Sequence, residues 1–434
     1  AETAVVTADG PGSGTTSMFC LTHSFIKIAP GSDMPGVPAS EIIETILLSF
    51  KISIILIKFF VSLNLWLDIN LDLISYLFKR FFVDDAKEFY HLTGLENCYD
   101  TKLLSYFNNE KVEKPVLPHV FEHLGTSKKQ GINKVVSLTK VIQYAESKLS
   151  TIQQPKNITR PYLKYNKSLK TFADLEKSGL KITMGPFKRV FKNGYAYSNF
   201  NILTTTGRPS NTFRGINLGA LNKNDDTRNQ IVTRHNPGML VEFDYDAYHL
   251  RLLAKILKYD VPSDISLHQH FADTIYKASY DEAKRISWQI LYGNVKVTEK
   301  ENPFFYKVDK MSDALWSYFK KHKHFKSHIY RRQFASNNVP DANKNKVLNY
   351  FIQSYETEQN IETIRKIQNF LKSRSTNMIL YTYDSFLFDL DRTEGLEMIL
   401  QLKKILSAGS FPVKIKAGLN YGEMQDITER INGH

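Results

Sequence analysis

The sequence predicts an α+β protein built from more than one domain. Three observations carry this. First, 434 residues are too many for one hydrophobic core, and an apolar fraction of 42% supplies enough material for large ones. Second, apolar runs alternate with helix-like patterns over 41–150, as in a mixed α/β domain. Third, from about residue 180 onward strand-like runs are mixed with helical periodicity.

Along the chain, residues 1–40 are rich in Gly, Ser, Thr and Pro, with weak strand signals. Residues 42–83 are strongly apolar, but Lys51, Lys58 and Asp68 interrupt them. A span needs about 18 or more apolar residues in a row, so this segment reads as buried strands and helices, with no membrane partner. The polar stretch TIQQPKNITRPYLKYNKS marks a boundary near 151–168. Residues 1–84 hold five Lys/Arg against eight Asp/Glu, so the net charge of +13 comes entirely from the remainder. A basic excess confined to one region points to a polyanion, nucleic acid first, although a generally basic solvated surface would look the same. Cys20 and Cys98 have neither metal-type nor disulfide-framework spacing, and the opening AETA has no basic leader. An intracellular protein, not secreted, is the expectation.

The chemistry-bearing residues lie in three stretches. In MLVEFDYDAYHLRLLAKIL a strand ends at Asp244, and a helix follows with Leu250, Leu253, Ala254 and Leu257 on one face. MILYTYDSFLFDL reads as a β-hairpin with Asp384 at or near its turn. Two such aspartates on adjacent strands would form a site for two hard divalent cations, whereas either alone is an ordinary turn or capping residue. The third stretch begins with SYDE, a capping box over Ser279 to Glu282. Behind it Lys284, Trp288 and Tyr292 share one helix face, with Ala283, Ile286 and Ile290 on another that can pack inward. The first face could meet phosphates and a base, or could be a packed aromatic stripe with a snorkelling lysine.

The order of these pieces resembles the family A DNA polymerases, the DNA polymerase I class. TTTGRPSN is similar to that family's TGR motif, FDYDAYHLRLLA to motif A and SLHQHFADTIY to the stretch with a phosphate-binding histidine. KRISWQILYG resembles the fingers helix, NYFIQ the family's Asn and Gln, YTYDSFLF motif C, and AGLNYGEMQ the C-terminal strand and turn. The match covers roughly 180 to 430. It implies a right-hand polymerase of palm, fingers and thumb that adds dNTPs to a primer on template DNA by two-metal phosphoryl transfer.

By that resemblance Asp244 and Asp384 would hold two Mg²⁺ ions, with the backbone carbonyl of Tyr245 facing one of them. Lys284 and His268 would hold the triphosphate, Lys284 also donating a proton to pyrophosphate. Tyr292 would sit under the base pair, with Trp288 and His249 also at the dNTP. Arg208, Asn349, Gln353 and Gly293 would meet the DNA, Arg208 at the primer terminus. Several positions depart from the pattern. His249 stands where a glutamate usually blocks the ribose 2′-hydroxyl, which puts sugar selectivity in doubt, although His249 over Tyr292 could still exclude that hydroxyl sterically. Trp288 replaces a Phe or Tyr. Tyr280 replaces an arginine one turn before Lys284. Tyr383 and Ser385 replace the His and the acidic residue flanking the motif C aspartate.

FFVDDAKEFYHLTGLENCYDTKLLSYF resembles part of the 3′–5′ exonuclease domain attached to these polymerases, an RNase H-like fold. Its carboxylates are missing: only Asp9 stands near the first motif, the second falls near Phe89, and Lys148 replaces the aspartate after Tyr144. A degenerate domain without proofreading is implied. Arg208 follows LEKSGLKI too soon for a full thumb. The implied domains are therefore 1–150 exonuclease-like, 151–200 reduced thumb or linker, and 201–434 palm and fingers, with fingers at about 262–345. A short thumb implies a processivity factor or another replication protein as partner. The absence of a 5′-nuclease region leans toward a phage, plasmid or organelle enzyme. Three rival readings are a phage-type single-subunit RNA polymerase, a non-catalytic DNA-binding scaffold descended from a polymerase, and a membrane-tethered protein if residues 42–83 insert.

Overall fold

The computed structural model describes residues 81–107, 156–183, 194–408 and 411–433, apart from 84, 95, 97, 214 and 294. The expectations for Asp9, Cys20, Tyr144, Lys148 and residues 42–80 fall outside these. Among the described residues no helix is long and apolar enough to cross a membrane. The chain forms two compact units. The first, Ala1–Val83 with Asn97–Tyr99 and Leu117–Glu146, is described only in β1 (Phe81–Val83) and in the opening residues of β2 (Cys98–Asp100). The second, Asp84–Glu96 with Asp100–Val116 and Ser147–His434, holds everything below.

Helices α1 (Ala86–Thr93), α2 (Thr101–Phe107) and α3 (Lys156–Ser178) open the second unit. The polar stretch expected as a boundary runs into α3. Arg160, Lys167 and Lys177 lie outward, while Tyr162, Tyr165, Leu169 and Phe172 recur at helical spacing and are buried. Three short strands follow as one sheet, with β3 (Leu180–Ile182) between β4 (Tyr195–Ala196) and β8 (Ile231–Val232). A second small sheet joins β5 (Phe200–Asn201), β6 (Ser210–Phe213) and β7 (Ile216–Asn217).

The main sheet is antiparallel and five-stranded. Its centre is β9 (Gly238–Tyr245), which pairs on one edge with β13 (Ser385–Asp391) and on the other with β14 (Val413–Gly418). β12 (Asn377–Thr382) and β15 (Gln425–Asp426) complete it. β9 reads as a near-continuous apolar run because Leu240, Val241, Phe243 and Tyr245 are buried on both faces. The expected hairpin is present, with a two-residue turn of Tyr383 and Asp384 between β12 and β13. Tyr383 holds a left-handed φ of 63°, unusual for an aromatic residue.

Helix α4 (Tyr248–Leu257) follows β9. Then come α5 (Leu267–Phe271), α6 (Tyr280–Tyr292) and α7 (Pro303–His322), which share a core of Leu250, Leu253, Leu267, Phe271, Phe304 and Phe305. The capping box forms: Ser279 accepts from the Glu282 N–H and starts α6. The inward face of α6 is centred on Ala283, Ser287 and Leu291, with Ile286 and Ile290 at its margins. The expected face of Ala283, Ile286 and Ile290 is thus rotated, because Ser287 is small enough to lie at the contact. A short hairpin, β10 (His324–Lys326) with β11 (Gln333–Ala335), precedes α8 (Lys344–Leu371), and α9 (Gly395–Leu406) follows the main hairpin.

Helix α8 is largely buried, and polar residues such as Ser354, Glu358 and Asn360 are bonded to neighbouring groups. Asn360, fully buried, accepts from the Tyr248 hydroxyl at 2.7 Å and donates to the Tyr383 carbonyl at 2.6 Å and the Tyr381 hydroxyl at 3.1 Å. It thereby pins the hairpin turn to two other elements. Asn360→Ala is expected to lose about 2–3 kcal/mol of stability, since it strands buried polar partners. Urea unfolding measures this, and a loss under about 0.5 kcal/mol, the range of ordinary surface changes, would remove Asn360 as the turn's anchor.

Candidate active site

The β9–β13 register builds the centre of the site. Asp244 lies opposite Ser385, and the Tyr245 N–H donates to the Asp384 carbonyl at 2.9 Å. Two aspartates from different strands are thereby placed on one cleft of about 490 Å³. Burial, then Asp384 and Glu242, push the Asp244 carboxyl up to about 7. Burial and the Glu356 carboxylate raise Asp384 as well. Like charges forced together out of water favour a cation between them. Glu242, two residues before Asp244 on β9, accepts from Ser385 Oγ and from the Tyr421 hydroxyl, both at 2.8 Å. A carboxylate thus reaches Ser385 from the neighbouring strand.

One end of the cleft is cationic. Lys284, His268 and Lys414 line it with Tyr280. Lys414, which pairs with Asp244 across β14, donates to the Tyr280 hydroxyl at 3.1 Å and lies 3.5 Å from Asp246. Burial drops the His268 imidazole to about 4, with Lys284 and Lys414 contributing against Asp246. His268 is therefore neutral at pH 7, and its buried Nδ1 has no hydrogen-bond partner. Asp246 is held low despite burial by the Ser266 hydroxyl at 2.6 Å, the Leu267 N–H at 2.9 Å and Arg251 at 3.1 Å. It fastens the start of α5 to the end of β9 and so positions His268.

The far wall is aromatic. Trp288, 53% exposed, lies 4.9 Å from Tyr292 ring to ring. The Tyr292 hydroxyl is 2.5 Å from His249 Nδ1. Behind them Glu356 meets Arg208 Nε at 3.0 Å and His249 Nε2 at 3.4 Å. Arg208 also stacks over the Tyr383 ring at 3.7 Å. On α8, Gln353 donates to Asn349 at 3.0 Å, and both reach the cleft. A second cleft of about 320 Å³ shares Asp244 and Asp384 and carries Lys223, Arg228 and Lys416.

Of the residues singled out from sequence, Arg208, Asp244, Tyr245, His249, His268, Lys284, Trp288, Tyr292, Asn349, Gln353 and Asp384 line one cleft. Gly293 does not. It caps α6 by donating to the Gln289 carbonyl, and a Cβ there would stand 2.5 Å from that oxygen. Glu356, Lys414, Asp246 and Glu242 were missed. Only the repeated acids of VEFDYD gave a signal for two of them. Glu356 and Lys414 sit in segments whose patterns read as ordinary helix and strand.

No family model matches the sequence, and no curated protein matches it. The fold is similar to the POL domain of Pol1 from M. smegmatis, solved in complex with DNA primer-template and dNTP. The TM-score is 0.57 at 14% identity, over 74% of this chain and 82% of that one. At this identity the likeness shows a fold of the DNA polymerase kind.

Proposed function

We propose that the chain is a template-directed DNA polymerase of the family A type, which adds dNTPs to a primer 3′ end without proofreading. The observation that carries this is a single cleft joining the Asp244–Asp384 pair to Lys284, His268 and the Trp288–Tyr292 rings. It stands in a fold similar to one solved with primer-template and dNTP. Partners would be primer-template DNA and dNTPs, with a processivity factor or other replication protein compensating for a reduced thumb, inside the cell.

The donor set fits Mg²⁺. Among the described residues no three His, Cys, Asp or Glu side chains could cage a metal ion. Mg²⁺ is commonly held by one or two carboxylates together with substrate phosphates and water. Asp244, Asp384 and the Tyr245 carbonyl would hold two such ions, which when bound lower the pKa of the primer hydroxyl and offset triphosphate charge. The chain's own groups do the rest. Lys284, His268 and Lys414 grip the phosphates, the neutral His268 by donating an N–H. Trp288 and Tyr292 offer faces for a base. Lys223, Arg228 and Lys416 in the adjoining cleft suit a primer backbone. The primer 3′-hydroxyl releases its proton to solvent, its oxygen bonds to the α-phosphorus, the bond to pyrophosphate breaks, and Lys284 protonates the leaving oxygen.

Primer extension with Mg²⁺ tests the reading. Asp384→Ala should lower kcat/KM for dNTPs by about 10³-fold or more while DNA still binds, as expected when charge stabilisation is lost. Wild-type extension surviving in that variant would sink it, and extension by rNTPs alone would favour the RNA polymerase reading. Lys284→Ala should cost about 10²-fold or more through lost phosphate contact and proton donation. An unchanged rate would remove it from the site.

Cation binding should also depend on pH. The acid form of Asp244 cannot ligate, and its pKa is raised to about 7. Affinity for Mn²⁺, read by electron paramagnetic resonance, should climb by about tenfold per unit as pH rises toward 7 and level off above it. A flat profile from pH 5.5 to 8.5 would contradict the paired-carboxylate site.

A further inference from the structure

We infer that Glu356 sets sugar discrimination, as the positioning residue that holds His249 against Tyr292. This rests on the polymerase reading above and names what decides the substrate class of that same cleft. Glu356 is 1% exposed and comes from α8, far in sequence from the two groups it meets. Its carboxylate is shared by Arg208, at 3.0 Å and 3.3 Å, and by His249 Nε2 at 3.4 Å. Burying a carboxylate is costly unless it is compensated, so these contacts are specific requirements of the wall rather than surface accidents.

The imidazole is held from both ends. Its Nε2 faces Glu356, and its Nδ1 is 2.5 Å from the Tyr292 hydroxyl. With Nε2–H turned to the carboxylate, Nδ1 is left to accept the tyrosine O–H. One carboxylate therefore orients a ring on α4, and the ring fixes a tyrosine on α6. Glu356 Oε2 and His249 Nε2 are both buried, so the attraction between the carboxylate and the ring N–H acts out of water and keeps the ring in place.

The cleft decides what this wall meets. Lys284 and Tyr292 stand on one face of α6, eight residues apart, and both line the cleft with His249 and the carboxylate pair. A nucleotide with its phosphates at Lys284 and its base on the Tyr292 ring would present its sugar between the two, beside the His249 that touches Tyr292. A pocket discriminates against an added hydroxyl by refusing it room, and the refusal lasts only while the wall stays rigid.

The experiment is single-nucleotide primer extension with dNTPs and rNTPs, reporting the ratio of the two kcat/KM values. Glu356→Gln should cut the deoxy/ribo preference at least tenfold, mainly through a lower KM for rNTPs. His249→Ala should do the same. Adding Glu356→Gln to His249→Ala should change the ratio no further, because Glu356 acts through the ring. A general loss of packing would lower both substrates together and leave the ratio intact. An unchanged ratio in either single variant, a further drop in the double variant, or a wild-type ratio near one overturns the inference. If Glu356→Gln fails to fold, His249→Ala and the charge-retaining Glu356→Asp decide it, the latter keeping at least a third of the wild-type preference. No extension with either nucleotide by the wild type would overturn the polymerase reading itself, which the other outcomes leave standing.

Discussion

The repulsion between two half-buried carboxylates is the constraint around which the second unit is organised. The register that sets Asp244 opposite Ser385 leaves Asp384 no way to retreat, because its own carbonyl is bonded to the Tyr245 N–H. The turn is fixed again by Asn360 and by the left-handed Tyr383. Strain of this kind persists only where surroundings over-determine it. Here sheet, helix and turn all do so, and the result is a preformed anionic centre flanked by lysines that approach without neutralising it.

Helix α8 makes that possible. It exposes little, so its Glu356, Glu358 and Asn360 must each find partners inside. Glu358 accepts from the Ile329 and Tyr330 N–H groups, which ties the loop after β10 to the helix. Arg332, buried in the same region, donates to the Thr205 carbonyl and lies 4.2 Å from the Tyr106 ring. The TGR loop is thereby held from behind while Arg208 turns forward to Glu356 and Tyr383. A polar spine of this sort is a poor source of stability but a strict source of geometry, since few arrangements satisfy all its members.

Much of this was legible in the sequence, for identifiable reasons. A strand ending at Asp244, a hairpin turning at Asp384 and a capped helix carrying Lys284, Trp288 and Tyr292 are local patterns with periods of two or about four residues, and all three elements form as expected. Glu356 and Lys414 were illegible because their roles come from which strand and which helix lie alongside. The expected boundary near 151–168 lies close to the division between the units at Glu146 and Ser147, although the same polar stretch also supplies the buried Tyr162 and Tyr165 of α3. Gly293 was assigned to DNA for its place in a motif, whereas the Gln289 carbonyl accounts for it sterically.

The departures from the resembled pattern share one logic. No arginine stands one turn before Lys284, but Lys414 reaches the same tyrosine from β14. No acid follows Asp384, but Glu242 comes to Ser385 from β9. No glutamate stands at position 249, but Glu356 from α8 faces the histidine that does. Each charge arrives from a different element than the motif would name. Electrostatics acts on position in space and not on order in the chain, so a cleft can keep its field while its sequence signature erodes. That is consistent with a sequence that matches no family model and a fold that is nonetheless similar to a polymerase domain at 14% identity.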